Sequence, residues 1–149
     1  MQKFLFSVKA LPVVFLATTI LLLSFSNQAN AQVSMSITAS VNANVNTGFF
    51  TSIGFTSSSG SFLESYSFNG KKVHSEVTFT FADGTITAKT HSDVVFTGPT
   101  TATGTGTWKI SKGTGVYENI KGSGGLTYAL TGVGTSSEMI TQEWSGSLD

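Results

Sequence analysis

The chain has 149 residues and a formal net charge of +0, with 40% hydrophobic and only 11% charged residues. There is no basic excess to hold nucleic acid by counterion release, and no acidic surplus of the kind that keeps a chain unfolded. Cys is absent, which excludes disulfides, thiolate chemistry and Cys-ligated zinc.

Lys3 and Lys9 mark a short positive start, and an apolar run from Leu11 to Phe25 follows. Ser26, Asn27 and Gln28 then lead to Ala29-Asn30-Ala31. This charged, apolar, small-residue order predicts a secretory signal peptide over 1–31, cleaved before Gln32. The alternative is an uncleaved membrane anchor, but the run falls short of the roughly 20 apolar residues that span hydrocarbon. With no Cys to acylate, a lipoprotein is excluded, and the mature protein is expected to be secreted, periplasmic or extracellular, with no membrane attachment after cleavage. It would comprise 32–149, with six Lys, no Arg and eight acids. Arg is the usual bidentate clamp for phosphate and carboxylate, and none is present. Gly, Ser and Thr make up 54 of those 118 residues, but the interleaved aromatics argue against disorder.

No window sustains a helical period, whereas period-two alternation rich in β-branched and aromatic residues runs throughout. It predicts about eight strands. Val33–Val41 is the first, followed by a loop over Asn42–Gly48. Phe49–Phe55, Phe62–Phe68, Lys72–Ala82, Thr85–Thr97, Gly104–Ile110, Gly125–Thr131 and Ser137–Gly146 complete the set, with a second exposed loop at Thr97–Thr103. Asn69-Gly70 and Asp83-Gly84 are strong two-residue hairpin signals. Taken as the loops themselves, they set Tyr66 opposite Val73, Glu64 opposite Ser75 and Phe62 opposite Val77. About the second turn they set Phe81 opposite Ile86, Phe79 opposite Ala88 and Val77 opposite Thr90. The apolar residues of three strands then share one face, which a one-residue slip would scatter.

On the other face this register places His74 opposite Asp93, Glu76 opposite His91 and Thr78 opposite Lys89. Two His and two carboxylates in one patch could ligate a divalent metal; the plainer reading is an exposed polar face with paired charges. No metal-binding loop, HExxH motif or EF-hand is present, so neither metal nor cofactor is expected. Glu64 stands apart. It falls on the aromatic face between Phe62 and Tyr66, where desolvation favours the protonated form of a carboxyl and suits general acid or base work. The competing reading places it at a barrel rim or on a bulge that turns it outward.

The segment Gly104–Gly125 reads GTGTWKISKGTGVYENIKGSGG. Its core is Gly113-Thr114-Gly115-Val116-Tyr117, with Gly122 after a four-residue spacer. It resembles the Gly-Thr-Gly-x-aromatic signature of the allene oxide cyclase and dirigent group of β-barrels. The resemblance covers about twenty residues closely, and Ser61–Thr131 loosely as a strand pattern. Lys112 stands where the group usually has its first Gly, the Arg that catalytic dirigent-type proteins place in the pocket is absent, and the cyclase's N-terminal active-site pattern is not found. The resemblance implies a single antiparallel, roughly eight-stranded barrel, with the motif turn at one end and self-association into homo-oligomers. Fold similarity does not supply function.

The leading expectation is thus an all-β secreted barrel whose interior binds a small apolar or aromatic molecule. Phe62, Tyr66, Phe79, Phe81, Trp108 and Tyr128 are the candidate lining, with Glu64 the candidate catalytic residue. The same aromatics could instead fill a dry core. Two further readings are a cyclase or isomerase using Glu64 with Tyr66 or Tyr128, and a surface module in which Trp144 or Tyr117 stacks on sugars. No G-x-S-x-G elbow or phosphate-binding loop is present.

Overall fold

The computed structural model describes residues 30–149. The proposed leader lies outside them, apart from Asn30 and Ala31. Eight strands run β1 Ala31–Asn42, β2 Val45–Ile53, β3 Ser59–Asn69, β4 Lys72–Phe81, β5 Gly84–Gly98, β6 Thr101–Gly113, β7 Gly122–Thr131 and β8 Met139–Leu148. Each pairs antiparallel with its neighbour, and β1 pairs β8, so the sheet closes into one barrel. Closure removes the free edges that an open sheet would expose.

Alternation decides what faces inward. Met35, Ile37 and Ala39 of β1, Val77, Phe79 and Phe81 of β4, and Ile140 and Trp144 of β8 are all buried. The Ser and Thr between them on β1 and β4 lie largely on the outside. This is the reverse of the apolar-out, polar-in pattern of a barrel that crosses lipid. Phe49 and Ile53 are exceptions, 76% and 75% exposed on the outer face of β2. No helix among the described residues is long and apolar enough to cross a membrane.

Four expectations about register and loops are corrected. Asn69 pairs Lys72, so the first hairpin loop is Gly70-Lys71 rather than Asn69-Gly70. Gly70, at φ +66°, occupies the first loop position, the place where a II′ hairpin takes glycine. Phe81 pairs Gly84, so the second loop is Ala82-Asp83. Gly84 instead enters β5, where a Cβ would overlap the Thr114 carbonyl oxygen. Moving a loop by one residue shifts the pairing by two. Phe62 therefore faces Phe79, Glu64 faces Val77, and His74 faces His91 rather than Asp93. Because the side-chain period is also two, the inward and outward faces are preserved.

The expected loop at Asn42–Gly48 is a tight turn at Ala43-Asn44, with β2 starting at Val45. The expected loop at Thr97–Thr103 shrinks to Pro99-Thr100 between β5 and β6. Both segments lack apolar alternation because their inward positions hold Asn46 and Gly48 in one and Ala102 in the other. Gly48 lies so close to Ala39 that any side chain would collide with its backbone.

The motif turn closes one end of the barrel. Gly115, at φ +63°, begins a single 3₁₀ turn, Gly115–Tyr117. Thr114 N–H donates to Thr85 O at 2.9 Å, and Val116 N–H to Asp83 O at 3.2 Å, tying the turn to the β4–β5 hairpin. Tyr117 is buried against Phe81 and Phe55, with ring centroids 4.6 and 6.3 Å away. Ile120 packs on the same core. These residues plug the end at which both β1 begins and β8 finishes.

Candidate functional site

The barrel interior divides into two halves. Toward the plugged end the rings interlock: Phe50 meets Phe79 and Phe81 edge-on at 5.0 and 4.8 Å, and Phe79 meets Trp144 at 5.1 Å. Trp108 stacks on Trp144 at 5.7 Å, and its indole N–H donates to Gly125 O at 3.0 Å. Such pairs add about 0.5–1.5 kcal/mol each beyond the area they bury.

Toward the other end the interior opens into a cavity of about 240 Å³. Its walls are mainly Val94, Leu126, Leu130 and Ile140, with Tyr66 and Tyr128. Phe68 and Phe96 stand at the mouth, half exposed or more. The volume lies below the roughly 300–1,000 Å³ of pockets for drug-sized ligands.

A polar tie crosses the barrel at the floor of this cavity. Glu64 of β3 points inward and is 6% exposed, so the rim and bulge alternatives do not apply. Its Oε2 accepts from Asn46 Nδ2 at 2.8 Å, on the adjoining β2, and from Gln142 Nε2 at 2.7 Å, reaching across from β8. Gln142 Oε1 in turn accepts the Trp144 indole N–H at 2.7 Å. Each bond to the carboxylate is of the charge-assisted kind, shorter and stronger than a neutral one. The carboxylate thus fixes both amides with their NH₂ groups toward it. Their carbonyl oxygens point elsewhere: that of Gln142 to Trp144, while buried Asn46 Oδ1 has no partner among the described residues.

The tyrosines do not bond Glu64. Tyr66 donates its hydroxyl proton to Ala43 O at 2.7 Å, and Ser92 Oγ donates to the Tyr128 hydroxyl at 3.4 Å. Burial pushes both phenols above their ordinary 10.0, with the nearby carboxylates adding to the rise: Glu138 and Glu64 for Tyr66, Glu64 and Asp93 for Tyr128. The Ser92 hydrogen bond works against the rise at Tyr128.

Of the sequence-predicted residues, the fold brings Glu64, Tyr66 and Tyr128 together around the cavity. Phe62, Phe79, Phe81 and Trp108 sit in the packed half instead. Gly113, Thr114, Gly115, Tyr117 and Gly122 belong to the plugged end. Trp144 and Tyr117 are 1% and 3% exposed, so neither offers a platform for a sugar. The sequence-predicted lining left out Asn46, Gln142 and the aliphatic wall, although Leu126 and Leu130 alternate with Tyr128 on an inward face. Gln142 alternates with Ile140 and Trp144, and that spacing could have placed it inside. Asn46 carried no such signal, since it lay in a segment read as loop.

On the outer face, His74 and His91 form a direct cross-strand pair at 2.5 Å between their Nδ1 atoms. Lys72 bridges Asp93 at 2.7 Å beside them. The His–carboxylate pairing expected there is thus replaced by like with like, and Lys with Asp. No group of three or more His, Cys, Asp or Glu among the described residues could hold a metal ion.

No protein-family model, curated protein or solved structure matches this chain.

Proposed function

We propose that the protein is a secreted carrier or receptor barrel that takes one small, mainly apolar molecule into its open half. The observation that carries this reading is the cavity itself. It is walled by aliphatic and aromatic side chains, open at one end, and floored by a hydrogen-bonded polar group that could orient a guest. Eight strands leave an interior wide enough for side chains or one small ligand, and here the side chains fill only one half. The leader-like start supports secretion. The Gly113–Tyr117 turn, docked across the end of a closed eight-stranded barrel, supports kinship with the allene oxide cyclase and dirigent group.

At about 30 Å³ per water-sized group, the space suits a guest of roughly eight heavy atoms. Hexanol is a suitable probe. Calorimetric titration is expected to give saturable one-to-one binding. Hexanol at about 100 times its Kd should stabilise the fold by about 2.7 kcal/mol. Leu130→Trp, which fills the cavity from its wall, should abolish both effects without unfolding the barrel. Absence of saturable binding by the native chain would overturn the reading.

A further inference from the structure

We infer that the guest carries a cationic amino group, seated on the cavity floor against Glu64. This deepens the reading of the open half as a binding site and rests on it. Asn46 Nδ2 and Gln142 Nε2 each give one N–H to Glu64 Oε2. Beside these bonds stand acceptors that no donor among the described residues meets. Glu64 Oε1 accepts no hydrogen bond from the described residues, and Asn46 Oδ1, on a side chain 3% exposed, has no partner. Native folds rarely leave a buried oxygen such as Asn46 Oδ1 bare, and each one calls for an explanation. A guest bearing several N–H donors supplies it.

Charge points the same way. Glu64 lies at the floor and Glu138 on the lining, and no Lys is among the lining residues. Neither carboxylate has a Lys within ion-pair distance, since the ion pair among the described residues is Lys72–Asp93; Glu138 is half-buried and takes Gly134 N–H at 3.0 Å, whereas Glu64 is the buried anion of the two. An ammonium on an apolar tail answers both demands. It neutralises a buried carboxylate, donates to oxygens that lack donors, and passes a mouth framed by Phe68 and Phe96, whose ring faces attract cations. The hydroxyls of Thr90 and Tyr128 on the wall can donate or accept and set no charge preference.

The test uses the native chain and three probes of equal length: hexylamine, protonated at about pH 7, then hexanol and hexanoate. Hexylammonium should bind about tenfold or more tighter than hexanol, with hexanoate weakest, because a charge-assisted pair replaces a neutral contact or a repulsion. Glu64→Gln should bring amine and alcohol within about threefold while hexanol binding persists. Hexanoate binding as tightly as the amine would overturn the inference. So would three equal affinities, which would leave the apolar cavity reading intact, and so would an unchanged amine preference in Glu64→Gln. If none of the three binds, the cavity reading itself falls, and this inference with it. Should Glu64→Gln fail to fold, the native series still decides.

Discussion

Gln142 serves two neighbours at once. It donates to Glu64 and accepts from Trp144, so Gln142→Leu strands a buried indole N–H and removes one of the carboxylate's two donors. Each abandoned buried group costs about 1–3 kcal/mol. Urea unfolding should show a loss of about 2–4 kcal/mol for Gln142→Leu. Asn46→Leu should lose less, since it deletes an unpartnered oxygen along with the donor; the reverse order would contradict the tie. The tyrosines give a pH signature. Burial raises the phenol pKa of Tyr66 and Tyr128 in the fold above the ordinary 10.0. The fold then holds these protons more tightly than the unfolded chain does. Their contribution is complete below pH 10 and is lost as pH rises through the raised values. Stability measured against pH should therefore fall above about pH 10, and the fall should be shallower in Tyr128→Phe. At this scale Glu64 was legible, because alternation with Phe62 and Tyr66 put it inside. Its amide partners were not, because long-range polar pairing leaves no local pattern.

The strands and their faces were legible as elements, while the turns were not. Asn69-Gly70 and Asp83-Gly84 marked the right places, but each loop lies one residue away from the dipeptide expected to form it. The faces survived because a two-residue shift in pairing is invisible to a period of two. Segments with small or polar inward residues were lost as strands for the opposite reason. At Gly48 and Gly104 the absent side chain is the structural feature: a Cβ on Gly104 would press into the Tyr128 ring. That ring borders the cavity and can swing, so Gly104→Ala should weaken probe binding more than it lowers stability. Gly113→Ala is different, because its Cβ would meet the backbone carbonyl of Tyr117. Forcing atoms into that packed end should cost about 1–3 kcal/mol. Gly70→Ala meets nothing in space and should cost only the left-handed backbone, about 1–2 kcal/mol. Thermal unfolding of the three variants, with hexanol titration of Gly104→Ala, checks the contrast.

Across the whole molecule, one barrel carries two interiors. Large rings from β2, β3, β4, β6 and β8 meet at the plugged end, whereas β5, β7 and the far part of β8 offer aliphatic walls that do not reach the centre. Sequence alternation says which residues point inward but not at which height they stand. Height depends on the registers of all eight strands at once, which is why the lining set mixed plug residues with cavity residues. The pairing of β1 with β8 joins the two ends of the barrel sequence, so closure waits on the most distant contact. Refolding is accordingly expected on the millisecond-to-second scale of non-local β folds. The proposed guest belongs in the open half and not in the packed half. Methyl NMR of the native chain during hexanol titration tests this placement most directly. Saturable shifts are predicted for Val94, Leu126, Leu130 and Ile140, with Val33, Ile86 and Ile110 unmoved; shifts centred on the latter three, or none at saturating probe, would contradict it.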